Sequence, residues 1–303
     1  MSSSFLGYEF SPIELHQRRH LSGFLDQHPQ PLSGFTFATL AAWHSIFQYG
    51  WAFADDTTLL ISCLLGPDRQ RHLMQPVGQL AAPLQSKLLR EAESLPYPLR
   101  IVGVSEDFIR EHARFVEQFN AFEDPTASNY LYLADHLAKL PGRKYASKRN
   151  LLAQAAGLYE WVPGPLEGAG IEACFEVLKS VQEEEQPKID TNLQQELDAL
   201  DYTLRHFDEL GQQGVLLRVN GRPVAFSIYE PISPTTVVVH FERALRSYKG
   251  LYQVINWETA RLIAGHGYEF INREEDLGSP GLRDAKRSYN PVKLVPAYEL
   301  ILK

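Results

Sequence analysis

Two periods of apolar residues, one helical and one alternating, divide the chain into elements. After an irregular opening, FTFATLAAWHSIFQYG (35–50) carries an apolar stripe at helical spacing and predicts a helix ended near Gly50. WAFADDTTLLISCLL (51–65) is two apolar, β-branched runs punctuated by Asp55-Asp56, which predicts a strand pair. HLMQPVG (72–78) is a short strand entering a Pro-Val-Gly turn. Leu80, Leu84, Leu88 and Leu89 share one face of a helix over 79–93; LRIVGVS (99–105) follows as a strand and EDFIREHARFVEQF (106–119) as a helix. The second half begins with helical stretches over 169–185 and 190–211. GVLLRVNGRPVAFSIYE (214–230) is two strand-like runs joined by Asn220-Gly221, a hairpin signal because both residues tolerate positive φ. TTVVVHFERA (235–244) is a strand and RSYKG (246–250) a polar loop. LYQVINWETARLIAGHG (251–267) is a helix ended near Gly265, and YEFINREED (268–276) a strand running into charge. SPGLRDAKRSY (279–289) is a helix with Ser279 as cap and Pro280 at its first position. The sequence 291–303 supplies a last strand.

Between the halves, NYLYLADHLAKLPGRKYASKRN (129–150) starts with alternating aromatic residues and ends in the basic cluster Arg143, Lys144, Lys148 and Arg149. WVPGPLEGAG (161–170) reads as a Pro/Gly-rich connector. The expected domains are therefore 1–155 and 156–303, the first half repeating a shortened version of the second by order of elements alone. This is an α+β chain with a mixed sheet in each half.

Composition narrows the function classes. The chain has 303 residues, 44% hydrophobic and 22% charged, with formal net charge -8. That balance suits a packed core and argues against a bulk electrostatic grip on nucleic acid, leaving only local basic patches. Cys63 and Cys174 lie in apolar runs without a CxxC, as buried free thiols do. The first residues lack the pattern of a secretory signal, and no stretch reaches the roughly 18 apolar residues a transmembrane helix needs. The expected location is cytoplasmic, with any membrane contact made from the surface of the inner face. The ten histidines are scattered without metal-ligand spacing, so no metal is expected.

Four stretches carry a resemblance: 129–150, VVVHFERA (237–244), GLYQVINWETA (250–260) and YEFINREEDLGSPGLRDAKRSYNP (268–291). They resemble the C-terminal-domain family of phosphatidylglycerol lysyltransferases, a tandem acetyltransferase-like (GNAT) group related to the Fem-type aminoacyltransferases. The resemblance implies tandem GNAT-like domains. It implies an acyltransferase taking an aminoacyl group from aminoacyl-tRNA to a hydroxyl or amine, on a phosphatidylglycerol-like lipid headgroup or a small-molecule acceptor, with no cofactor. The alternatives are an acetyl-CoA-type N-acyltransferase and a non-catalytic ligand-binding protein. Coenzyme A is the less favoured donor. Its pyrophosphate needs small residues in the loop before the helix, and Tyr252 fills the second small position after Gly250.

Candidate site residues follow from where the motifs fall. Glu242 and His240, on one face by strand alternation, can take a proton from an attacking hydroxyl or amine, although each also has an ordinary structural role open to it. Arg273 can steady an oxyanion or a phosphate. Lys148 and Arg149 suit a phosphate-rich donor. Asn272, Glu274 and Asp276 end the strand at the expected mouth of the sheet, where the acids can hold an α-ammonium or lock Arg283 and Lys286. Tyr252, Gln253, Asn256, Lys286 and Tyr289 complete the candidate substrate-binding set. The run Glu183-Glu184-Glu185 reads as a solvated face or loop.

Overall fold

The computed structural model describes residues 3–185 and 191–303. The position 190 that opens the second helical stretch of the sequence reading lies outside them. The chain divides into two compact units. The first comprises Met1–Asn129, Glu275–Gly278 and Val295–Lys303; the second comprises Tyr130–Glu274 and Ser279–Leu294. The division at 129/130 differs from the single boundary at 155/156 expected from composition. Residues 130–155 belong to the second unit because they supply part of its core: Tyr132, Leu137, Tyr145 and Ala155 are buried there.

In the first unit, antiparallel strands Tyr8–Pro12, Gly50–Asp55, Thr58–Leu65 and Gln70–Met74 lead to Arg100–Val104, which pairs in parallel with Gln70–Met74. The end of Lys293–Leu302 pairs antiparallel with Arg100–Val104, Leu300 opposite Ile101, and Phe119–Leu133 lies on its other side. The helix Ala82–Ala92 turns Leu84, Leu88 and Ala92 into a core with Phe10, Leu60, Leu73, Ile101 and Phe115. The Pro-Val-Gly turn needs its glycine. Gly78 has φ +95, and a Cβ there would lie 2.0 Å from the Thr57 carbonyl oxygen. The predicted helix over 35–50 is instead Phe37–Ala42 and His44–Phe47, and it stops at Gln48 in the left-handed region. Gly50 then opens a strand.

The second unit holds a six-strand sheet. Its order is the end of Phe119–Leu133, then Phe270–Asn272, Thr236–Ala244, Arg222–Pro231, Gln213–Val219 and Trp161–Pro165. Asn220 and Gly221 turn the predicted hairpin at φ +51 and +79. Helix Ala169–Glu185 matches the apolar pattern, the stretch expected to run to 211 breaks at His206 into Thr191–Arg205 and Phe207–Leu210, and Leu251–Gly265 buries Val254, Ile255, Ala260 and Ile263. The presumed connector at 161–170 is in part an edge strand, Trp161–Pro165. Leu166 donates its N–H inward to Gly214. Residues of the opposite parity, Pro163 and Pro165 among them, therefore turn their nitrogens outward, where a missing N–H breaks no ladder bond.

Two features of the sheet place the site. The central strand Thr236–Ala244 runs parallel to Phe270–Asn272, but their pairing ends at Val238 opposite Asn272. Arg273 keeps to the other neighbour, donating its N–H to the Tyr130 carbonyl. Beyond Val238 on one strand and Asn272 on the other the two strands no longer pair with each other, and a mouth opens between them. In addition, Ile228 opposes Phe241 while Tyr229 opposes Val239, so His240 is an extra residue in the central strand. Such a bulge re-aims side chains.

Candidate active site

Glu242 follows the bulge on the central strand, and Arg273 follows the last paired residue of its neighbour. The guanidinium Nη2 lies 3.2 Å from Glu242 Oε1, and the two side chains are 15% and 12% exposed. Burial pulls the Arg273 pKa down, but Glu242 together with Tyr132 and Tyr289 more than offsets it and the arginine stays charged. Asn256, on the helix Leu251–Gly265, completes the contact: its amide oxygen, turned to the guanidinium, accepts from Nη1 at 2.9 Å. Tyr289 lies under Arg273, ring centroid 5.2 Å from the guanidinium carbon. Burial pushes its phenol well up, with Gln253 as its hydrogen-bond partner. The carboxylate of Glu242 lies close to the helix Leu251–Gly265 through Asn256. Two hydroxyls are buried there without partners among the described residues: Ser227, in register with Glu242, and Thr259, one turn beyond Asn256.

Lys148 enters from the helix Ala146–Leu158. Its ammonium is 2.6 Å from Ser288 Oγ and 3.9 Å from the Tyr289 ring centroid. Burial, with Arg273 nearby, lowers its pKa to about 8. Among the described residues it forms no ion pair, although it is 8% exposed. A buried cation next to a second cation, with no carboxylate of its own, favours an anion in the space both face.

Next to this pair lies a separate charged cluster. His240 donates from Nε2 to Glu230 at 2.9 Å and from Nδ1 to Glu274 at 2.8 Å. Burial acts to lower the imidazole pKa, but the two carboxylates raise it to about 10. An imidazolium with both nitrogens committed has no lone pair to accept a proton, so the geometry gives His240 an organising place rather than the base role expected from the sequence. The cluster keeps one net negative charge, which suits an ammonium. Glu274 holds this position with φ +57, and its N–H donates to Asn272 Oδ1 at 2.8 Å.

The remaining predicted residues take separate places. Lys286 donates to the Arg273 carbonyl at 2.5 Å, and its own carbonyl accepts from Tyr132, so it fixes the arginine's backbone. Arg149 donates to the Leu140 and Gly142 carbonyls at 2.5 and 2.7 Å and braces the turn before its helix, turned to that turn where Lys148 turns to the site. Tyr252 is half-buried in the first turn of Leu251–Gly265. Asp276 belongs to the first unit, where it is buried and accepts from Gly278 at 2.9 Å. Sequence reasoning missed Glu230, Tyr132 and Ser288. Glu230 ends a strand run, as Glu242 nearly does, and that shared placement was the available signal.

The loop before Leu251–Gly265 is closely packed at its glycine. Gly250 has φ +81, and a Cβ there would lie 2.8 Å from the Leu151 carbonyl oxygen and 3.4 Å from Ala155. The helix Ala146–Leu158 thus packs directly on this loop. Tyr159 donates to the Lys249 carbonyl at 2.6 Å.

The family model described as "Phosphatidylglycerol lysyltransferase, C-terminal" matches residues 27–301. The chain belongs to that family. A protein of unknown function from Bacteroides thetaiotaomicron VPI-5482 is 31% identical, with TM-score 0.89 over 98% of this chain and 100% of that one. L-PGS from Bacillus licheniformis is similar at TM-score 0.68 and 14% identity, over 96% of this chain and 92% of that one. FemX is similar at TM-score 0.64 and 10% identity, over 97% of each. The latter two likenesses speak for the fold, which is tandem GNAT-like. No curated protein sequence matches this chain. Family and fold together support an acyltransferase of the lysyl-phosphatidylglycerol synthase and Fem type. Among the described residues no helix is long and apolar enough to cross a membrane, and no group of His, Cys, Asp and Glu is placed to hold a metal ion.

Proposed function

We propose that the second unit transfers an aminoacyl group from aminoacyl-tRNA to a hydroxyl or amine acceptor, on a phosphatidylglycerol-like lipid headgroup met from the membrane surface or on a small molecule. The observation that carries this reading is the buried Glu242–Arg273 pair with the unpaired Lys148 beside it at the mouth of the sheet. It offers a proton acceptor, a fixed guanidinium and a second cation within one site. Family membership supports the reaction class.

The attacking hydroxyl or amine loses its proton to Glu242 as its oxygen or nitrogen bonds to the ester carbonyl carbon. Arg273 and Lys148 face the oxyanion that forms, and their fixed placement means little reorganisation at that moment. The ester C–O bond then breaks. The departing ribose oxygen takes a proton from Lys148, whose lowered pKa makes the ammonium a ready donor. The net negative cluster of Glu230, His240 and Glu274 receives the aminoacyl α-ammonium. No covalent enzyme intermediate is needed; positioning supplies much of the rate.

The test is transfer of radiolabelled amino acid from a pool of charged tRNAs to lipid and small-molecule extracts, comparing wild type with Glu242→Gln and Arg273→Ala. Label in a product with wild type and lost in both variants is the expected result and identifies the acceptor. Label remaining on tRNA with wild type would sink the reading.

A further inference from the structure

The acidic run read from the sequence as a solvated face contains one residue with a definite job. Glu184 sits in the last turn of the helix Ala169–Glu185. Its Oε2 accepts from the backbone N–H groups of Arg246 and Ser247, at 2.8 and 3.3 Å, and its Oε1 accepts from the Ser247 hydroxyl. Three donors from two successive residues converge on one carboxylate. These residues belong to the polar loop that precedes Leu251–Gly265, the same loop whose far end is pressed on by Leu151. Successive backbone N–H groups aimed at one point form an anion-binding concavity.

The placement runs against local preference. A carboxylate at the C-terminal end of a helix meets the negative end of the helix dipole. Burial of part of the group also opposes its charge, yet the hydrogen bonds from Ser247 and Arg246, with Arg222 nearby, hold its pKa below the ordinary value. The loop donors therefore repay what the helix end costs.

We infer that Glu184 is a specificity-determining residue: its carboxylate occupies an anion site on the Arg246–Ser247 loop and so denies that loop to phosphate-bearing ligands. The site's chemistry is that of a phosphate or pyrophosphate oxygen held by two backbone N–H groups and one hydroxyl. Glu184 fills the donors at one end of the loop, and Leu151 packs against Gly250 at the other. The inference concerns selection against a ligand and stands whether or not aminoacyl-tRNA is the donor.

Titration calorimetry with sodium pyrophosphate on the full chain tests it, using wild type, Glu184→Ala, Glu184→Gln and Glu184→Ala/Ser247→Ala. Glu184→Ala is expected to bind pyrophosphate roughly tenfold or more tighter than wild type, since the donors are freed and the competing charge is gone. Glu184→Gln, whose amide oxygen still reaches the donors, should fall between. Removing the Ser247 hydroxyl from the Glu184→Ala protein should weaken binding again. Equal binding by wild type and Glu184→Ala, or none by either with the fold intact by circular dichroism, would overturn the inference. So would tight binding that ignores Ser247, because the anion would then be held elsewhere. Tight binding of coenzyme A to wild type would likewise overturn the inference. Failure of aminoacyl transfer alone changes none of these results.

Discussion

His240 offers a sharp test of the electrostatics, because its charge has a stability signature of known sign. The imidazole pKa rises from an ordinary 6.5 to about 10 in the folded chain, although burial opposes it, because Glu230 and Glu274 each accept from one ring nitrogen. A raised folded pKa stabilises fully below the unfolded pKa, and the contribution disappears as pH climbs through the folded one. Linkage makes this a contribution of about 4 kcal/mol at pH 7, nearly all of it gone by pH 10. The side chain is 7% exposed, so solvent screening discounts this little. The perturbation is Glu230→Gln/Glu274→Gln, which keeps the shape and removes the two charges. Urea denaturation of wild type and variant across pH 6.5–10 cancels the other titrating groups to first order. The wild type should lose about 3–4 kcal/mol more than the variant between pH 7 and 10. Nitrogen-detected NMR of the folded wild type should find one histidine still doubly protonated at about pH 8.5. Parallel stability curves, or every imidazole titrating near its ordinary value, would refute the reasoning.

Further outcomes follow from other residues. Glu242→Ala should destabilise the second unit by about 3–5 kcal/mol, because it strands the buried Arg273 guanidinium, whereas Glu242→Gln should lose transfer with a smaller effect on stability; denaturation and the label assay separate the two. Gly250→Ala should cost roughly 1–3 kcal/mol by thermal melting, from the positive φ and the approach to Leu151. Transfer that needs the Lys148 ammonium should fall as pH rises through about 8 and should be lost in Lys148→Met, read from single-turnover rates. Both thiols should resist alkylation in the native protein, since burial pushes Cys63 up to about 12 and Cys174 higher still; mass spectrometry after iodoacetamide reads this.

Much of the fold was legible because local signals were strong. Asn220-Gly221 and the Ser279 cap needed no tertiary knowledge, and Leu251, Ile255 and Ile263 of the stripe expected over 251–265 face the core, whereas Leu262, expected beside them, is exposed. The edge strand at 161–165 was hidden because two prolines mask a strand wherever a ladder bond faces inward, and only the pairing shows that these face out. At the site, motif position placed Glu242, Arg273, Asn256 and Lys148 in one cluster. The sequence could not show that His240 is charged, since that depends on Glu230, ten residues away, and on a bulge that only strand register reveals. Nor could it separate Lys148 from Arg149, adjacent residues turned to different tasks by one step of helix rotation.

The prolines at the edge have one more effect. A second chain that tried to extend this sheet would meet Pro163 and Pro165, two outward positions with no hydrogen to give, and its carbonyl oxygens would lose water for nothing. The rim of the second unit is thus proofed against strand-by-strand growth.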